Sequence, residues 1–161
     1  MKFSHDLTYD ASPAQVRAML ADPAFREQAC EAMHASRREV SIQEDGTGMT
    51  VLVDQTQPAR GLPGFAKSVV GDEMRIVQRE SWTDEGAATL SIEIPGKPGR
   101  FDGSITLVGD GAGTRETVAG EVRVKLPLLG GKLEGLVGDV LRSALEAEQR
   151  VGRSWLAGQA R

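Results

Sequence analysis

Apolar and polar positions recur with two different periods along this chain. Between Pro127 and Arg161, the residues Leu129, Leu133, Leu136, Val137, Val140, Leu141, Ala144, Val151 and Trp155 return at spacings of three, four and seven. That is the helical period, and it predicts one wide apolar stripe. Lys132, Asp139, Arg142, Glu146, Arg150 and Arg153 fall on the opposite face. From Gly131 to about Ala157 the helix would run roughly 40 Å. Gly135 and Gly138 each weaken it by about 1 kcal/mol relative to alanine, so its stability must come from packing. A lone helix cannot bury such a stripe, which requires a sheet beneath it.

The rest of the chain is dominated by period two. Lys2 to Tyr9 alternates, with Phe3, His5, Leu7 and Tyr9 on one face. Ser12-Pro13-Ala14-Gln15 then carries a capping-box start for a short helix, with Val16, Met19 and Leu20 inward. Asp22-Pro23 repeats the cap-plus-proline signal for a second helix bearing Phe25, Ala29 and Met33. Strands are expected over Arg38–Glu44, Met49–Gln55, Glu73–Thr83, Ala88–Ile94, Phe101–Val108 and Thr114–Leu126. Their connections are short and rich in glycine and proline, which implies antiparallel neighbours. One connection is longer, at residues 57–71, with room for a helical turn around Phe65–Val70. Loops of that length are often functional lids.

The order is therefore one strand, two short helices, six meandering strands and a long helix. It predicts an α+β fold, with a curved seven-stranded antiparallel sheet wrapped around the C-terminal helix in a single domain over residues 1–161.

Composition narrows the function. The chain has 161 residues and a formal net charge of −4, which argues against nucleic acid as a partner. No apolar run reaches membrane-spanning length, so no integral membrane segment is expected. MKFSHDLTYD lacks an apolar signal core, and Cys30 is the only cysteine. Both fit a reducing cytoplasm. Cys30 itself reads as a small core residue. Only His5 and His34 accompany it, which leaves no metal-ligand spacing, and neither a metal nor a cofactor is expected. There is no Gly-x-Ser-x-Gly elbow, and catalytic residues stay unknown at this level. GGKLEG at 130–135 and GDGAG at 109–113 lack phosphate-loop spacing and read as turns.

The order of elements resembles the helix-grip fold of the START/Bet v 1-like superfamily, which includes polyketide cyclase/dehydrase and lipid-transport domains. FSHDLTYDASPAQVRAML, GLPGFAKSVVG and VKLPLLGGKLEGLV are similar to a bacterial family catalogued as a domain of unknown function (DUF2505-like). The superfamily resemblance implies an apolar ligand held between the long helix and the sheet. The narrower one implies no assigned activity and no catalytic residues.

The expected walls are Val137, Leu141, Ala144, Val151 and Trp155 from the helix, with Val53, Ile76, Trp82 and Ile92 from strands. Leu62 and Phe65 in the 57–71 loop would gate the space. Polar exceptions on apolar faces would orient the ligand: Glu148 in the helix stripe, Gln78 and Glu80 beside Ile76 and Trp82, and His5 between Phe3 and Leu7. Each also has a structural reading. Glu148 would reach water or an arginine at the sheet's open end, Gln78 and Glu80 would lie on a strand edge or bulge, and His5 would be a satisfied interior histidine. Three functions fit: binding of an apolar or amphipathic small molecule, cyclase or dehydratase chemistry on such a molecule, or a filled interaction module that forms a homodimer.

Overall fold

The computed structural model describes residues 1–159. The chain runs β1 (Lys2–Tyr9), α1 (Pro13–Leu20), α2 (Pro23–Ala32), β2 (Arg37–Asp45), β3 (Gly48–Pro58), α3 (Gly64–Val70), β4 (Glu73–Trp82), β5 (Ala87–Glu93), β6 (Gly99–Asp110), β7 (Gly113–Val124) and α4 (Gly130–Gln159). The seven strands form one antiparallel sheet in the order β1-β7-β6-β5-β4-β3-β2. This is the α+β architecture expected from the alternation, and it agrees with the helix-grip fold that the resemblance implies. Among the described residues, no helix is long and apolar enough to cross a membrane.

Local chemistry sets the helix starts. Ser12 accepts from the Gln15 backbone N–H while the Gln15 side chain accepts from the Ser12 N–H, so the capping box is complete. Asp22 caps α2 through the Ala24 N–H at 2.9 Å. α2 packs on α4 and β2, with the Phe25 ring edge-on to Trp155 at 6.0 Å between centroids. Phe25, Leu7, Val16, Met19 and Leu20 are fully enclosed. Cys30 is buried in the same core, and burial pushes its thiol up to about 11. Leu129 lies before the start of α4 and is exposed, unlike the rest of the expected stripe.

α4 lies against β1 along one side, and glycine permits the approach. A Cβ on Gly152 would stand 2.7 Å from Tyr9 Cε1 and 3.1 Å from Met19 Cε. One on Gly138 would crowd the flexible side-chain end of Met1 and stand at an ordinary 3.8 Å from Phe3 Cδ2, and one on Gly135 would meet nothing within 4 Å. These surroundings give three different expectations for alanine. Gly135→Ala should stabilise by about 0.5–1 kcal/mol through helix propensity. Gly138→Ala should be near neutral. Gly152→Ala should destabilise by about 1–2 kcal/mol, because overpacking against a buried ring exceeds that gain. Urea unfolding of the three variants orders them directly, and equal effects would contradict the packing described.

Candidate functional site

The concave face of β4 carries Met74, Ile76, Gln78, Glu80 and Trp82 by simple alternation. Facing it, α4 presents Leu133, Leu136, Val137, Val140, Leu141, Ala144, Leu145 and Glu148. The two surfaces do not close on each other. Between them is a cavity of about 160 Å³. Its walls also take in Leu90 and Ile92 from β5, Phe101 and Ile105 from β6, and Glu116 and Val118 from β7. The α4 residues Leu136, Val137, Val140, Leu141 and Ala144 are only half-buried because they face this hollow. A wider depression of about 670 Å³ lies elsewhere, lined by Ser41, Thr50, Ser81, Thr89 and Ser91, and opens broadly to solvent.

One wall is a flap. Leu62, Ala66 and Val70 reach the cavity from α3 and the turn before it. The ends of this segment are tied together by the Ala59 N–H, which donates to Asp72 O at 2.8 Å. A segment closed at its base in this way is a compact loop of the kind that often carries function. Ala66 packs on Leu133 and Val124, and Lys132 Nζ sits 4.3 Å above the Phe65 ring centroid.

The cavity has a charged inner end. Glu80 is enclosed and accepts four hydrogen bonds: Arg26 Nη1 at 2.7 Å and Nη2 at 2.9 Å, Gln78 Nε2 at 2.7 Å and Trp82 Nε1 at 2.8 Å. Arg26 Nε donates to Leu20 O at 2.8 Å, which fixes the guanidinium. Burial alone would push Glu80 up. The charge and hydrogen bonds of Arg26, with those of Trp82 and Gln78, more than offset burial and hold it below the ordinary carboxylate range.

Two further carboxylates have no such partner. Glu116 is 1% exposed, and its Oε2 makes no hydrogen bond. Burial, then the charges of Glu148 and Glu80, raise its carboxyl well above the ordinary value, against Arg26. Glu148 is pushed up to about 7, by burial first and by Glu80, against the lowering effect of Arg26. It is only half-buried because part of its surface faces the hollow and not bulk water. The neighbouring Tyr9 hydroxyl is unpartnered and is likewise raised, by burial and by both carboxylates. Both carboxyls are thus biased toward the neutral, proton-donating form near pH 7.

Of the residues expected from sequence, Ile76, Gln78, Glu80, Ile92, Val137, Leu141, Ala144, Glu148 and Leu62 line this cavity. Val53, Trp82, Val151 and Trp155 do not. They pack into the core, where α1 and α2 fill the space under the sheet. Phe65 is turned to Lys132 and the Ala66–Leu133 cluster, away from the cavity wall. His5 is half-buried on β1 opposite Val118 and lies off the wall. Gln78 and Glu80 are not at an edge, since β4 is paired on both sides. Arg26 and Glu116 were not anticipated. Glu116 shares the alternating face of Val118 and Val122, so the signal for it was present.

Residues 4–156 match the sequence profile described as "Protein of unknown function (DUF2505)". The chain belongs to this family. The chain is also similar to the uncharacterized protein Rv0481c of Mycobacterium tuberculosis, 31% identical over 119 aligned residues, covering 70% of this chain and 68% of the relative. Among solved structures, the chain is similar to the Zhui aromatase/cyclase of Streptomyces sp. R1128, at 15% identity and a TM-score of 0.63, covering 100% of this chain and 96% of that one. It is also similar to a START superfamily protein of Mycobacterium smegmatis, at 17% identity and a TM-score of 0.60, covering 93% and 96%. The family member described here therefore has a START/Bet v 1-like fold.

Proposed function

We propose that this protein binds an apolar or amphipathic small molecule between α4 and the sheet. The unfilled cavity carries this reading: aliphatic walls on most sides, with polar groups gathered at one end. Apolar walls supply affinity at about 25 cal/mol per Å² buried, and the few polar groups set orientation. The likeness to an aromatase/cyclase and a START superfamily protein supports the same idea. At about 160 Å³ the space fits a body near the size of a benzene ring. A lipid-sized ligand would need the α3 flap to swing out about its tied base.

Ala144 lies on the wall, so Ala144→Trp would fill the hollow. Purified protein should bind a small environment-sensitive fluorophore, and Ala144→Trp should weaken binding about tenfold or more while leaving the fold intact by circular dichroism. Unchanged binding in the variant would locate the probe elsewhere and sink the proposal.

A second reading, acid–base chemistry of the cyclase or dehydratase kind, draws on Glu148. A carboxyl titrating near 7 on a cavity wall suits proton transfer to a carbonyl compound. In that case Glu148→Gln would abolish turnover and spare binding. An interaction module with a filled core has less behind it, given the hollow. The outer edge of the sheet at β2 carries Arg37, Arg38, Glu39, Glu44 and Asp45, charges that discourage edge pairing with a second copy. The single buried thiol of Cys30 is compatible with a cytoplasmic location.

A further inference from the structure

The inner end of the cavity has an unbalanced charge inventory. Three carboxyl groups, Glu80, Glu116 and Glu148, are served there by one guanidinium, that of Arg26. The charge of that guanidinium is matched by Glu80, with both its Nη atoms on the carboxylate and its Nε on the Leu20 carbonyl. Gln78 Nε2 and Trp82 Nε1 each donate to Glu80 as well. The charged groups left unserved are both acceptors: Glu116, whose buried Oε2 has no partner, and Glu148, which receives no hydrogen bond among the described residues. Both line the hollow. At the other end of the space, Arg100 is held by Asp102 at 2.7 Å and 2.9 Å, and by Glu93. An anionic headgroup entering the cavity would therefore find no uncommitted cation, and at the inner end it would face two more carboxyls. A cation would find two acceptors with nothing bound to them.

We propose that the cavity selects an apolar molecule bearing one basic nitrogen, its ammonium group lodged between Glu116 and Glu148 and its hydrocarbon against Val137, Leu141 and Ala144. This inference rests on the cavity being a binding site, and it names the class of ligand. The empty site avoids burying two like charges by keeping at least one of the two carboxyls protonated. When the ammonium enters, it donates a charge-assisted hydrogen bond to an ionised carboxyl, and any proton that carboxyl held leaves to solvent. The same inventory disfavours a fatty carboxylate, which would meet carboxyl O–H groups and no uncommitted cation, and a neutral alcohol gains only the weaker, uncharged contacts.

The test compares three probes of nearly equal size, n-hexylamine, 1-hexanol and n-hexanoate, by isothermal calorimetry at pH 7.5. Hexylamine should bind about tenfold tighter than hexanol, and hexanoate weakest of the three. In the near-isosteric double variant Glu116→Gln/Glu148→Gln, hexylamine should lose its advantage over hexanol. The double variant removes two carboxyls that burial disfavours as anions, so it should fold. Hexanol equal to or tighter than hexylamine, or hexanoate tightest, overturns the selection for a cation and leaves the binding reading standing. The same holds if the amine preference survives in the double variant. If none of the three probes binds, the binding reading itself fails and this inference goes with it.

Discussion

Arg26→Met is expected to cost about 3–5 kcal/mol of unfolding free energy, the largest single effect foreseen for this molecule. The reason is what the substitution leaves behind. Glu80 is enclosed among β4, α2 and the core, and two of its four hydrogen bonds come from Arg26. Without the guanidinium, burial has no charge to oppose it, and the carboxyl must either stay ionised in a poor medium or take up a proton. The Leu20 carbonyl loses its donor too. Total stabilities near 5–15 kcal/mol make this loss a large share of the whole. Adding Glu80→Gln should recover about 1–2 kcal/mol, because an amide needs no counter-charge and still accepts from Trp82 Nε1. Urea denaturation of the single and double variants measures both. A single variant within 1 kcal/mol of the parent, on the order of an exposed pair, would mean that Arg26 and Glu80 are open to water.

The reach of sequence reasoning differs between fold and site for a physical reason. Alternation and helical period report which face of an element is buried, and burial of one face is what builds the sheet and seats α4. Capping boxes are local, so Ser12-Pro13-Ala14-Gln15 marks the start of α1 at Pro13. Neither signal reports how far along a strand the filling side chains extend. Val53 and Trp82 share faces with residues on the cavity wall, yet α1 and α2 plug the hollow where they stand. Val151 and Trp155 lie past the same plug on α4, with Trp155 against Phe25. Arg26 was invisible for another reason. Its partner lies 54 residues away, and the pairing depends on how α2 sits against the sheet. Glu116 was legible in principle, since it occupies the same face as Val118 and Val122. Glu148 is legible as a charge inside the apolar stripe of α4. Its coupling to Glu80 and Glu116 is a property of the assembled site.

That coupling has a consequence for stability against pH. Glu148 carries its carboxyl at about 7 in the folded chain, against an ordinary value of 4.5. The folded state therefore binds the proton more tightly than the unfolded state does. Between pH 4.5 and 7 the native chain holds more protons, so stability falls as pH rises across that window and levels off above it. At 1.36 kcal/mol per unit, Glu148 alone removes about 2–4 kcal/mol, and Glu116, also raised, acts with the same sign. Glu80 acts oppositely. Its carboxyl is held below the ordinary range, so its contribution is present above that range and is lost as the solution is acidified through its folded value. The two trends meet in mild acid. Unfolding free energy should peak near about pH 5 and fall by a few kcal/mol toward pH 8. Glu148→Gln should flatten the neutral limb and raise stability at pH 8, while leaving the acid limb in place. Urea titrations at half-unit pH steps measure this, and stability that holds level or climbs from pH 5 to 8 would contradict it. An occupant that satisfied Glu116 and Glu148 would remove the same neutral-pH penalty. A site built this way gives up stability when empty at pH 8 and regains it on binding, so ligand-induced stabilisation should be largest where the empty protein is weakest.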